Sequence, residues 1–211
     1  MNPPCPVIEG RAAALPTAHL DTDQIMPKQF LRGIDKSGLA AGLLYDLRYD
    51  AQGQPRPECA LNQPQYAGAG ILLGGANFGC GSSREHAVWG LAQYGIRAII
   101  APSFAEIFYS NAMGNRLLLV TLTAPEVEAL MAHAEKPDAG AIRIDVAGLQ
   151  VHCPGLAPMG FTISRRHQEM FLKGMDVVGM SLSCQGEIAA FALAHWAAQP
   201  WLKDVTATLR A

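Results

Sequence analysis

The chain has 211 residues, half of them apolar and 16% charged, with a net charge of −2. That length and composition suit one domain, residues 1–211, whose core needs no disulfide or metal staples. The near-neutral charge gives no electrostatic reason to expect a nucleic acid or an anionic membrane as partner. No apolar run approaches a membrane span, and the first ten residues lack the basic start and apolar stretch of a secretion signal, so a cytoplasmic location is expected.

Along the chain, residues 7–15 are apolar enough for a first strand. HLDTDQIMPKQFL is polar, carries Pro27 and reads as a loop. Residues 36–50 contain LAAGLLYDL, a candidate helix, and 52–66 are rich in Pro, Gln and Asn, an exposed excursion. Residues 70–73 start a short buried strand. The stretch 84–94 has helical spacing, with Ala87, Val88, Leu91 and Ala92 on one apolar face. RAIIA (97–101) is a strand, 103–113 a helix, 117–122 a strand, and 123–134 a helix opened by Thr123 with Glu126 three residues on. This alternation predicts an α/β fold with parallel pairing. AIRIDVAGLQVHCPG then alternates and turns at Ala147 and Gly148, a hairpin, and MGFTIS adds a strand. Residues 164–173 and 187–198 read as closing helices.

Five cysteines, Cys5, Cys59, Cys80, Cys153 and Cys184, are odd in number and widely spaced. None has zinc-type or cluster-type spacing, so reduced, mostly buried thiols are expected, with no metal held by this chain.

The stretch GANFGCGSSREHAVWG concentrates the chemistry. Ser82 and Glu85 have the S-x-x-E spacing of a capping box, and Ser103 and Glu106 repeat it. The same geometry also makes an anion site: free N–H groups at a helix start, glycines that allow close approach, and the Arg84 fork. The loop lacks the P-loop pattern and the dinucleotide fingerprint. A serine in such a turn can serve as a base if donors stabilise its alkoxide, a chemistry suited to removing a proton beside a carboxylate. His86 either orients a neighbour or is an ordinary satisfied histidine.

HLDTDQIMPKQFL, NFGCGSSREHA, RAIIAPSFAEIFYSNAMGNRLL and RRHQEMFLKGMDVVGMSL occur in that order. The chain therefore resembles, over about residues 7–201, the small subunits of 3-isopropylmalate dehydratase (isopropylmalate isomerase). GSSREH is shared by the wider aconitase superfamily. The resemblance implies an aconitase-type swivel domain, β/β/α layered with a mixed sheet. It implies a large-subunit partner that carries a 4Fe–4S cluster acting as Lewis acid on the departing hydroxyl, and no cofactor bound by this chain. The implied reaction removes water from 2-isopropylmalate to give isopropylmaleate, then restores it with the hydroxyl moved, giving 3-isopropylmalate. By the matched motif, Ser82 is the base, Arg84 binds a carboxylate of the 2-hydroxy dicarboxylate substrate, and Ser83 is a further donor.

The DTD stretch, Asp21, Thr22 and Asp23, reads as turn and cap chemistry shaping the cleft edge. By resemblance, specificity lies in KQFLRG (28–33), where Phe30 and Leu31 offer an apolar wall for an isopropyl group. Arg32 pointing inward favours an extra carboxylate; pointing outward it is a surface residue. The loop is expected to be mobile without its partner. Arg48 is a further candidate cleft cation, and Arg165 and Arg166 are expected at the subunit interface. Three other readings stand beside this one: a sister hydro-lyase for citraconate, a dimethylmalate or homoaconitate; a stand-alone anion-binding module; and an RNA-binding offshoot, which the charge disfavours.

Overall fold

The structure, a computed structural model, describes residues 3–31, 37–203 and 205. Its centre is a parallel sheet in the order β2 (Ala12–Leu15), β3 (Ile71–Gly74), β4 (Ala98–Ala101), β5 (Leu118–Thr121). ILLG and AIIA are buried at every position, the continuous apolar pattern of strands covered on both faces. Helix α3 (His86–Tyr94) connects β3 to β4, α4 (Glu106–Gly114) connects β4 to β5, and α5 (Ala124–Ala134) packs across β2, β3 and β4. Glu126 fixes the start of α5 by accepting from the Thr123 N–H at 2.8 Å and its hydroxyl at 2.6 Å.

A second, antiparallel sheet runs β1 (Val7–Gly10), β6 (Ile142–Asp145), β7 (Gln150–His152), β8 (Met159–Gly160). The expected hairpin is present: Asp145 Oδ1 accepts from the N–H groups of Ala147 and Gly148, both at 2.9 Å, and so fixes its turn. Parallel and antiparallel pairing thus both occur, divided between two sheets.

Three expectations are corrected. The strand at 7–15 is two strands in different sheets, because the chain crosses over at Arg11, whose carbonyl accepts from Gly70 and Ile71. The helix at 36–50 is a 3-10 turn, Leu39–Gly42, and one turn of α-helix, Tyr45–Arg48, broken where Leu44 takes a left-handed φ of 50°. The C-terminal helices do not close the core. Helix α6 (Arg165–Lys173) buries Met170 and Phe171, but α7 (Val177–Ser183), absent from the sequence reading, and α8 (Gln185–Ala198) bury nothing. Among the described residues no single helix is long and apolar enough to cross a membrane.

Candidate functional site

The loops after β2 and β3 leave the same end of the parallel sheet, the end where open α/β sheets place ligands. They stay paired beyond it. Asp21 bridges Cys80, Gly79 N–H donates to the Leu20 carbonyl at 2.8 Å, and Thr22 N–H donates to the Cys80 carbonyl at 2.9 Å. Two glycines make this approach feasible. Gly79 has φ 77° with its Cα against the Phe108 ring, and Gly81 has φ 92° beside Asp21 and Thr22.

Asp21 caps the short helix Thr22–Ile25: its carboxylate accepts from the Gln24 N–H at 2.7 Å, while the Gln24 side chain accepts from the Asp21 N–H. The cap aims the next two residues at the glycine-rich loop. The Thr22 hydroxyl accepts from the Ser82 N–H at 3.1 Å, reaches the Ser82 carbonyl at 3.2 Å, and lies 3.0 Å from Ser82 Oγ. Asp23 meets Arg84 at 2.7 Å, and the same Nη1 donates to the Met26 carbonyl at 2.9 Å. The Arg84 side chain is 16% exposed and that of Asp23 65%, so a largely buried cation is held by a solvated anion.

On the other side, α4 braces the loop. Asn111 Nδ2 donates to the Ser83 carbonyl at 3.2 Å. Asn115 Nδ2 donates to the Glu85 carboxylate at 2.6 Å, and its oxygen accepts from the Trp89 indole. The capping-box expectation therefore fails at both serines. Glu85 itself precedes α3 with no side-chain cap, because Thr22 engages Ser82 and Asn115 engages Glu85. Ser103 Oγ accepts from the Asn77 N–H instead of capping α4, which starts after Ala105. His86 packs on Trp89 with ring centres 4.7 Å apart.

Ser82 and Ser83 are exposed on an open face. No hydrogen bond among the described residues uses the backbone N–H of Ser83, Arg84 or Glu85. These donors and the free edge of a guanidinium already fixed through Nη1 suit a carboxylate. The cavity lined by Arg11, Tyr66, His133 and Lys136 lies at the opposite end of β2 and is separate from this chemistry.

Phe30 packs on Tyr45, with ring centres 5.0 Å apart, and its ring fills the space beside Gly42; Leu31 also lies against the core. Arg32 and Gly33, the last two residues of KQFLRG, lie outside the described residues. Arg48 is a structural pin, not a cleft cation: it is buried, bonds Asn62 and the Leu43 carbonyl, and stacks over Tyr49 and Tyr94. Arg165 pairs with Glu169 one turn along its own helix. Among the described residues no three His, Cys, Asp or Glu side chains are grouped to hold a metal, and the five cysteines are free.

The profile of the aconitase C-terminal domain matches residues 6–125. The chain is 59% identical over 198 residues to 3-isopropylmalate dehydratase small subunit 1 of Chromobacterium violaceum, covering 94% of this chain and 93% of the relative. It is 46% identical over 196 residues to the small subunit of Phenylobacterium zucineum, covering 93% and 96%. A crystal structure of a 3-isopropylmalate dehydratase from Methanocaldococcus jannaschii superposes with a TM-score of 0.63 at 26% identity, over 87% of this chain and 99% of that one.

Proposed function

The chain belongs to the family of 3-isopropylmalate dehydratase small subunits, within the aconitase superfamily, and from that premise we propose how its loop does the chemistry. It is the small subunit of a hydro-lyase of leucine biosynthesis, active together with a large subunit. The enzyme interconverts 2-isopropylmalate and 3-isopropylmalate through isopropylmaleate.

Ser82 is the base. As an alkoxide it takes the proton from the carbon beside a substrate carboxylate; that C–H electron pair becomes the double bond as hydroxide leaves the neighbouring carbon. Hydration runs the same steps backwards. The Thr22 hydroxyl, 3.0 Å from Ser82 Oγ, donates to the alkoxide and holds its position. Arg84 takes a substrate carboxylate on the guanidinium edge that Asp23 leaves open, and Ser83 adds a donor. Phe30 and Leu31 form the apolar wall for the isopropyl group, with Arg32 beside them in the chain. The 4Fe–4S cluster of this reading belongs to the large subunit, because the dispersed cysteines of this chain do not fit one. Free thiols also fit a cytoplasmic enzyme.

The observation that carries the mechanism is the double latch between DTD and SSR, Thr22 to Ser82 and Asp23 to Arg84. The test is turnover of the chain reconstituted anaerobically with its large subunit, iron and sulfide. Isopropylmalate should exceed citraconate, dimethylmalate and homoaconitate in kcat/KM. Preference for another diacid would reassign the substrate, and ligand binding without turnover by the lone chain would favour a binding module.

A further inference from the structure

We propose that the arm formed by α7 and α8 is the element by which this chain docks into an apolar groove of the large subunit. The proposal rests on the small-subunit reading above and assigns the contact to a named segment.

The arm is built without a core of its own. No residue from Met175 to Leu202 is buried, yet the segment is strongly apolar. Leu182 is 63% exposed, Phe191 70%, Leu193 69% and Trp201 71%, with Val178, Ile188 and Trp196 also open. Helix α8 is Ala-rich, which favours helix formation, but helices of about 12–15 residues are marginal in water without packing. Single exposed apolar residues need no explanation; a contiguous set of this size marks an interaction surface.

Several observations identify the occupant. Ile188, Phe191, Leu193 and Trp196 are spread round α8 and do not form one stripe, so a covering surface must enclose it on several sides. Pairing with a second copy of the arm would cover one side only. Helices α7 and α8 meet at 63°, an angled probe that suits a concave receptor on a larger body. Charge is sparse: from Gly174 to Leu202 the chain carries Asp176 and Glu187 and no Lys or Arg, so the complementary surface is apolar. Area agrees as well. With aromatic side chains contributing about 150–250 Å² each and aliphatic ones somewhat less, the open apolar side chains sum to roughly 900 Å², close to the ~800 Å² per partner of a stable complex. The large subunit is the partner that the family supplies.

The root of the arm is tied to the site. Helix α6 meets α4 through His167 and Tyr109, ring centres 6.0 Å apart, and α4 and its C-cap carry the Asn111 and Asn115 that brace the serine loop. Docking the arm therefore sets the loop at a fixed place beside the large subunit.

Hydrogen–deuterium exchange of the full chain, alone and with the large subunit, tests the proposal, together with the full-length double variant Phe191→Asp, Leu193→Asp. Exchange across 177–202 should fall on complex formation. The variant should keep the protection of β3 and β4 and bind the large subunit at least about 100-fold more weakly. A wild-type complex in which 177–202 exchanges as in the free chain, or a variant that binds equally well, overturns the arm and leaves the small-subunit reading standing. Absence of any complex overturns both. Protection of the arm through dimerisation of the free chain, or its capture by phosphatidylglycerol vesicles in place of the large subunit, overturns the assignment of the occupant.

Discussion

The Thr22 hydroxyl lies 3.0 Å from Ser82 Oγ and accepts the Ser82 N–H at 3.1 Å, joining two loops 60 residues apart at the one serine to which the motif gives the base's role. Thr22 is buried and Ser82 exposed, so the fixed partner orients the free one. Thr22→Val keeps the shape and removes the hydroxyl. It should lower kcat by about 10²-fold, the usual cost of one donor to a developing oxyanion, with KM nearly unchanged. Thr22→Ser should retain most activity. Steady-state kinetics of the reconstituted enzyme checks both.

Arg84 uses Nη1 for both Asp23 and the Met26 carbonyl, which leaves its other edge as the one proposed to take the substrate carboxylate. A lysine has no such fork. Arg84→Lys should raise KM for isopropylmalate by about tenfold or more, while the far-ultraviolet spectrum stays unchanged. A KM within error of wild type would remove Arg84 from the carboxylate site.

Asn115 joins Glu85, the Asn111 carbonyl and Trp89, and is only partly buried. Asn115→Ala removes the Asn115 acceptor of the Trp89 indole and the Asn115 donor to Glu85. It should destabilise the chain by about 1 kcal/mol in urea unfolding, the usual net contribution of a hydrogen bond. The same unfolding followed by tryptophan fluorescence should report the disturbed indole.

His167 gives a pH signature. Burial, assisted by the Arg166 charge, lowers its pKa below the ordinary 6.5, and its Nδ1 is buried without a partner. As pH falls below about 6.5 the unfolded chain takes up this proton before the folded one, so stability declines in that window. Above it the residue contributes no slope. His167→Asn should flatten the dependence of Tm on pH between 7 and 5; an unchanged slope would assign it to other groups.

The parallel sheet was legible because β3 and β4 are unbroken apolar runs, and β5 is one up to the exposed Thr121, separated by helical spacing, a pattern set by burial on both faces. The switch of sheets at Arg11 was not, since VIEGRAAAL is compatible with one strand, and nothing local in it says which partner each half will pair with. At the site, the residue types in GSSREH suggested an anion-binding turn. Their local capping pattern misled, because Thr22 and Asn115 compete for Ser82 and Glu85 from 60 and 30 residues away. DTD was visible as a turn, with Asp21 capping as its type suggests. The reach of Thr22 and Asp23 depends on the tertiary fold. Helix α7 escaped notice because it buries no face and so shows no amphipathic period.

The most direct measurement is the turnover of Ser82→Ala in the assembled two-subunit enzyme. The complex should form with wild-type affinity, and kcat should fall by about 10²–10⁴-fold, the share expected of a positioned base. A near-normal kcat in an intact complex would contradict the account, leaving Ser82 as a hydrogen-bonding partner of Thr22 and placing the base elsewhere.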